Sequence, residues 1–142
     1  MRSQKFARRG QAVVEFALVL PLVLIMVISV FEFARAWNIQ QVLTDAAREG
    51  ARVAVVGAGN EEPKAALTAK VTTRINNALS VAGIDPGPAK PYGMAGVGEG
   101  HDKAATITIA LPHRFLFLGP LMEWTLDQSS LTLRTSITMR NE

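Results

Sequence analysis

At 142 residues, with 15 lysines and arginines against 12 acids and no cysteine, the chain allows one modest domain and excludes both a disulfide framework and a thiolate metal site. Its formal charge of +3 is no nucleic-acid footprint, because four of the cations, Arg2, Lys5, Arg8 and Arg9, crowd into the first ten residues. Without that segment 11 cations face 12 acids, a net charge of −1.

Behind the basic segment stand Gly10 and then Gln11-Ala12-Val13-Val14-Glu15, followed by apolar sequence from Phe16 through Ile28. Residues 12–33 at ~1.5 Å per residue cover the ~30 Å of a bilayer's hydrocarbon core, which predicts a transmembrane helix. Pro21 lies inside it, removes one backbone hydrogen bond and predicts a kink that membrane helices tolerate. Glu15 is chemically odd, since a carboxylate inside a span costs up to about 2.5–3.5 kcal/mol even on mild insertion scales. Two readings stay open: a plain anchor with Glu15 in the headgroup layer, or a carboxylate neutralised by a positive group on a neighbour. The basic leader faces a flank, residues 32–52, in which Glu32, Asp45 and Glu49 balance Arg35, Arg48 and Arg52. The positive-inside rule then puts the N-terminus in the cytoplasm and the bulk of the chain outside it.

No turn signal follows the span, so the helix is expected to continue as a stalk over residues 34–56 and to end at Gly57-Ala58-Gly59. One side of the stalk carries Asp45, Arg48, Glu49 and Arg52, with opposite charges three apart, a pattern that is usually a solvated face. The other side carries Val42, Leu43, Ala46, Ala47, Gly50, Val53 and Ala54. Small residues at Ala46, Gly50 and Ala54 fit either close approach of another subunit's helix or packing under this chain's own sheet. Ala34-Arg35-Ala36 forms an A-x-A-like site, which keeps open an ordinary signal peptide cut before Trp37, although the apolar region is longer than the usual ~7–15 residues.

Asn60 is the expected N-cap of a second helix with Pro63 in its first turn, and Leu67, Val71, Ile75 and Leu79 recur along it at four-residue spacing. Gly83 is its expected stop. Residues 85–100, rich in proline and glycine, read as a surface loop with a short extended piece near residues 94–97. Two alternating stretches, residues 105–111 and 131–139, predict a half-buried antiparallel pair, with Thr135 as a polar interruption on the apolar face. The connection between them, apolar at Phe115-Leu116-Phe117-Leu118, fits a third strand or a loop over the sheet edge.

The fold class expected is α+β: a long kinked N-terminal transmembrane helix, a second amphipathic helix and a small antiparallel sheet. Three segments follow: a basic leader over residues 1–10, a span over 11–33 and an extracytoplasmic domain over 34–142. Glu99, His101, Asp102 and His113 are ligand-capable but lack a metal spacing, and the glycines of 93–100 lack the lysine and the strand-then-helix context of a phosphate cradle. With no nucleophile beside a base and no paired carboxylates, neither an enzyme nor a cofactor is expected.

Gly10 followed by Glu15 behind a short basic leader resembles the processing site of type IV prepilins. The wider run does more: Arg9-Gly10-Gln11-Ala12-Val13-Val14-Glu15-Phe16, then Glu32-Phe33-Ala34-Arg35-Ala36, then Ala46-Ala47-Arg48-Glu49-Gly50-Ala51-Arg52 is similar to the TadE-like family of pseudopilins, minor pilin-like proteins of tight-adherence pilus systems. The resemblance implies a pilin-like fold, cleavage after Gly10 by a prepilin peptidase at the cytoplasmic face and Gln11 as the new N-terminus. It also implies that Glu15 pairs with the terminal amine of an adjacent subunit or aligns the incoming one. Gln11 departs from the Phe or Met usual in major pilins. The partners implied are the peptidase, other pilin or pseudopilin subunits, inner-membrane platform proteins and membrane lipid, with no nucleic acid. The rival class is a single-span extracytoplasmic binding module without a filament role.

Overall fold

Helix α1, Ser3–Gly59, runs unbroken through Pro21 and carries both the apolar stretch and the residues predicted as a stalk. The computed structural model describes residues 3–99, 104–127 and 130–140, so Arg2, His101 and Asp102 lie outside the described residues. Ser29 Oγ donates to the carbonyl of Ile25 (2.7 Å), which satisfies the one hydroxyl of the apolar stretch within the helix itself.

Helix α2, Lys64–Val81, buries Leu67, Val71, Ile75 and Leu79, the four-residue stripe read from the sequence. Its start differs from the expectation. Pro63, not Asn60, is the capping residue, and the first helical bond runs from the Leu67 amide to the Pro63 carbonyl (3.0 Å). Asn60 instead closes the end of α1 with its amide on the carbonyls of Val56 and Gly57 (both 3.2 Å). At the other end Gly83 takes a φ of 73°, while the amides of Gly83 and Ile84 satisfy the carbonyls of Ser80 and Leu79. This paired capping needs a left-handed residue and explains why glycine stops the helix there.

A three-stranded antiparallel sheet follows in the order β1 (Gly93–Ala95), β2 (Ala105–Arg114), β3 (Ser130–Met139). The β2/β3 register pairs Ile107 with Ile137, Ile109 with Thr135 and Leu111 with Leu133. Along β2 the alternation is strict: Ala105, Ile107, Ile109, Leu111 and His113 are buried, while Thr106 and Thr108 bond Thr138 and Ser136 on the outer face (2.8 and 3.0 Å). β2 extends three residues past the predicted end. The apolar connection is not a third strand: residues 115–117 form an irregular turn, and the chain then folds into a short helix α3, Leu118–Leu126, which the sequence did not predict.

The core lies where the C-terminal half of α1 packs its inner face against both α2 and the strands β2 and β3. Two layers approaching one helix explain its run of small residues: Ala46, Ala47, Ala51 and Ala54 are fully buried with Leu43 among them. Toward the sheet, Gln40 Nε2 donates to the Arg134 carbonyl (3.0 Å), and Thr44 Oγ1 meets Thr135 Oγ1 at 3.3 Å. Thr135, the polar interruption on the apolar face, thus has a polar partner on α1.

Candidate functional site

The segment that carries the sequence motif lies on the exposed apolar part of α1. Gly10, Gln11 and Glu15 are all exposed, and an added Cβ at Gly10 would meet nothing within 4 Å. One helical turn brings Gln11 and Glu15 to the same side, and Gln11 Nε2 donates to Glu15 Oε1 at 3.1 Å. A neutral amide offers the carboxylate a hydrogen bond without countercharge, so its charge remains available to a cation from outside the helix. Around it Val13, Val14, Phe16, Leu18, Val19, Leu22 and Met26 are exposed, and no residue of the most apolar stretch is buried within the chain. One helix of the described chain is long and apolar enough to cross a membrane.

Ala46, Gly50 and Ala54, the helix-packing candidates, stand elsewhere and face inward. A Cβ on Gly50 would come within 2.9 Å of Ile75 Cδ1 and Cγ1 and 3.5 Å of Val71 Cγ1. At Gly50 the chain's own α2 therefore occupies the close approach. Within the charged face, Arg48 pairs with Asp45 (3.3 Å) as the three-residue spacing predicts. Glu49 does not pair with Arg52; its carboxylate takes Arg74 Nη2 (2.7 Å) and Nε (2.9 Å) from α2. A two-pronged guanidinium from a packed neighbour outcompetes a helical pair worth only about 0.2–0.5 kcal/mol.

A second constellation, to which no sequence motif pointed, lies at the end of the apolar stretch of α1. Glu32 is a buried acid, and its carboxylate accepts the backbone amides of Leu116 (3.0 and 3.2 Å) and Phe117 (3.3 Å), 84 and 85 residues away. These bonds tie the turn between β2 and α3 to the end of the membrane-length stretch. Phe115 is buried there, with its ring 6.1 Å from Phe33 and edge-on to His113 at 5.1 Å. His113 is itself buried, and its Nε2 has no hydrogen-bond partner among the described residues. Burial, and secondarily the Arg35 cation, hold the His113 imidazole below its ordinary value, with Glu32 pulling the other way. Ile28, Phe31, Glu32, Arg35, Leu116 and Phe117 line an adjoining, mostly apolar cavity of about 250 Å³.

The sequence showed Glu32 as one more charge after an apolar run, and its only special signal was its place at the end of that run. Among the described residues no group of three or more metal-ligating side chains gathers, and His113 stands apart from the loop that carries Glu99. Neither a curated protein nor a solved structure matches the chain. Residues 10–52 match the model of a family described as TadE-like protein, a segment that begins at the glycine before the span and ends in the buried part of α1. Through that segment, which carries Gly10, Glu15, Glu32, Ala46 and Gly50 together, the chain is similar to the TadE-like protein family.

Proposed function

We propose that this protein is a minor pilin or pseudopilin subunit that serves assembly of a tight-adherence, type IV-like pilus. The family that residues 10–52 match is associated with biogenesis of that pilus, and the likeness supports a structural, non-catalytic role. The single observation that carries this reading is the family match starting at Gly10 and enclosing Glu15 on the exposed apolar part of α1. In this reading residues 1–10 are a cytoplasmic leader, 11–33 span the cytoplasmic membrane and 34–142 lie outside it. A prepilin peptidase cuts after Gly10, and the amine freed on Gln11 provides the positive charge that Glu15 lacks, on this or a neighbouring subunit. Other pilin subunits, platform proteins and the ATPases that drive them complete the machine.

The signal-peptide alternative is disfavoured by the role of Glu32. Cleavage before Trp37 would remove the carboxylate that holds Leu116 and Phe117 and the Phe33 ring against Phe115. The test is the N-terminus and intact mass of the membrane-extracted chain, made with and without its prepilin peptidase. A chain beginning at Gln11 only with the peptidase supports the pilin reading. A start at Trp37 means a released domain, and an uncut leader means a plain membrane-anchored binding module.

A further inference from the structure

The β2/α3 turn and helix α3 expose a concentration of apolar surface that the fold leaves unused. Leu116 is 63% exposed, Phe117 68% and Trp124 84%. On helix α3 the exposed Trp124 is accompanied by half-buried Leu118 and Met122. On α1 the neighbouring Phe31, Phe33 and Trp37 are also more than 60% exposed. A soluble domain does not normally carry such a patch uncovered.

Its position identifies what covers it. The amides of Leu116 and Phe117 are bonded to Glu32, so this turn lies beside residue 32 of α1. Residue 32 ends a stretch of the right length to cross the hydrocarbon core, and that places the turn at the level of the outer membrane–water boundary. Aromatic side chains concentrate at that boundary, where a flat ring meets both acyl chains and headgroups. Arg35, one turn beyond Phe31 and lining the same cavity as Phe117, and the exposed Arg114 supply cations for anionic headgroups.

We propose that the β2/α3 turn and helix α3 form a second membrane contact, in which Leu116, Phe117 and Trp124 dock into the outer leaflet of the lipid bilayer beside the span. Glu32 sets the depth of that contact, and the domain lies against the membrane surface instead of swinging on its stalk. The inference rests on α1 spanning the bilayer, which the test checks separately.

Full-length chain with Trp37→Phe, leaving Trp124 as its single tryptophan, is placed in phosphatidylethanolamine/phosphatidylglycerol vesicles at about one chain per vesicle. The emission of Trp124 is compared between ordinary lipids and lipids brominated near the top of the acyl chains. The expected result is about a twofold loss of emission with the brominated lipid, together with protection from aqueous iodide. Emission that stays open to iodide and indifferent to bromine overturns the proposal. So does protection that appears only at high chain density and is insensitive to bromine, which would assign the patch to a second copy. A control chain with Leu22→Trp and both native tryptophans replaced by Phe, in lipids brominated near the ends of the acyl chains, reports the span. Quenching at position 22 without quenching at Trp124 sinks the second contact alone, whereas no quenching at position 22 sinks the spanning reading beneath it.

Discussion

Glu32 stands where an acid would be expected to face water, yet it is buried and its oxygens meet two backbone amides. A carboxylate so placed removes two unsatisfied donors from the turn that leads into α3, and charge-assisted bonds of this kind are roughly twice as strong as neutral ones. Glu32→Ala should therefore cost about 1–3 kcal/mol, read as a lower denaturation midpoint of the detergent-solubilised chain, with faster amide exchange at Leu116 and Phe117. Glu32→Gln, which keeps an acceptor oxygen, should lose less. His113 beside it makes the same region sensitive to acid. Its folded-state value lies below the ordinary 6.5, so the unfolded chain binds the proton first as pH falls. The stabilisation is complete above that ordinary value and is lost as pH falls through it toward the folded one. Thermal melting of the native chain should fall between about pH 7.5 and about pH 5.5, and by less in His113→Phe.

Among the elements, α1 changes its surroundings along its length: exposed side chains around the apolar stretch, then α2 and the sheet packed against its inner face. Gly50 belongs to the clamped part, where Ile75 already fills the space a side chain would need. Gly50→Val should overpack the α1/α2 contact and destabilise by about 1–3 kcal/mol, checked by urea unfolding in detergent, although valine is a better helix former than glycine. The apolar stripe of α2, the alternation of β2 and the stop at Gly83 were legible in the sequence because each is a local pattern read against a fixed backbone period. Helix α3 was not, because Phe115-Leu116-Phe117-Leu118 before Gly119-Pro120 has no period of its own. Its conformation follows from Glu32 and Phe33, which hold the turn from a distant part of the chain. Asn60 was misread for a related reason: it has the side chain of a cap, but its backbone is taken up in closing α1.

For the whole molecule, the division of labour runs along α1, with an exposed apolar end that bears Glu15 and a clamped end that organises the domain. Because Glu15 is exposed, is hydrogen-bonded to the Gln11 amide and is not part of the core, Glu15→Ala should leave insertion, cleavage and folding intact. Surface pili, sheared from cells and measured by immunoblot, should nonetheless fall to a small fraction of the native level; unchanged pili would remove the assembly role. By itself the sequence determined the membrane-length helix, the amphipathic second helix, the strand pair and the Gly10/Glu15 motif, since hydropathy, period and motif spacing are all local along the chain. Only the tertiary structure decided that Gly50 serves this chain's own α2, that Glu49 binds Arg74 in preference to Arg52, and that Glu32 holds a turn 84 residues away. Those choices depend on which surfaces folding brings together, and a buried polar group or a missing side chain acquires its meaning only from the partner across the contact.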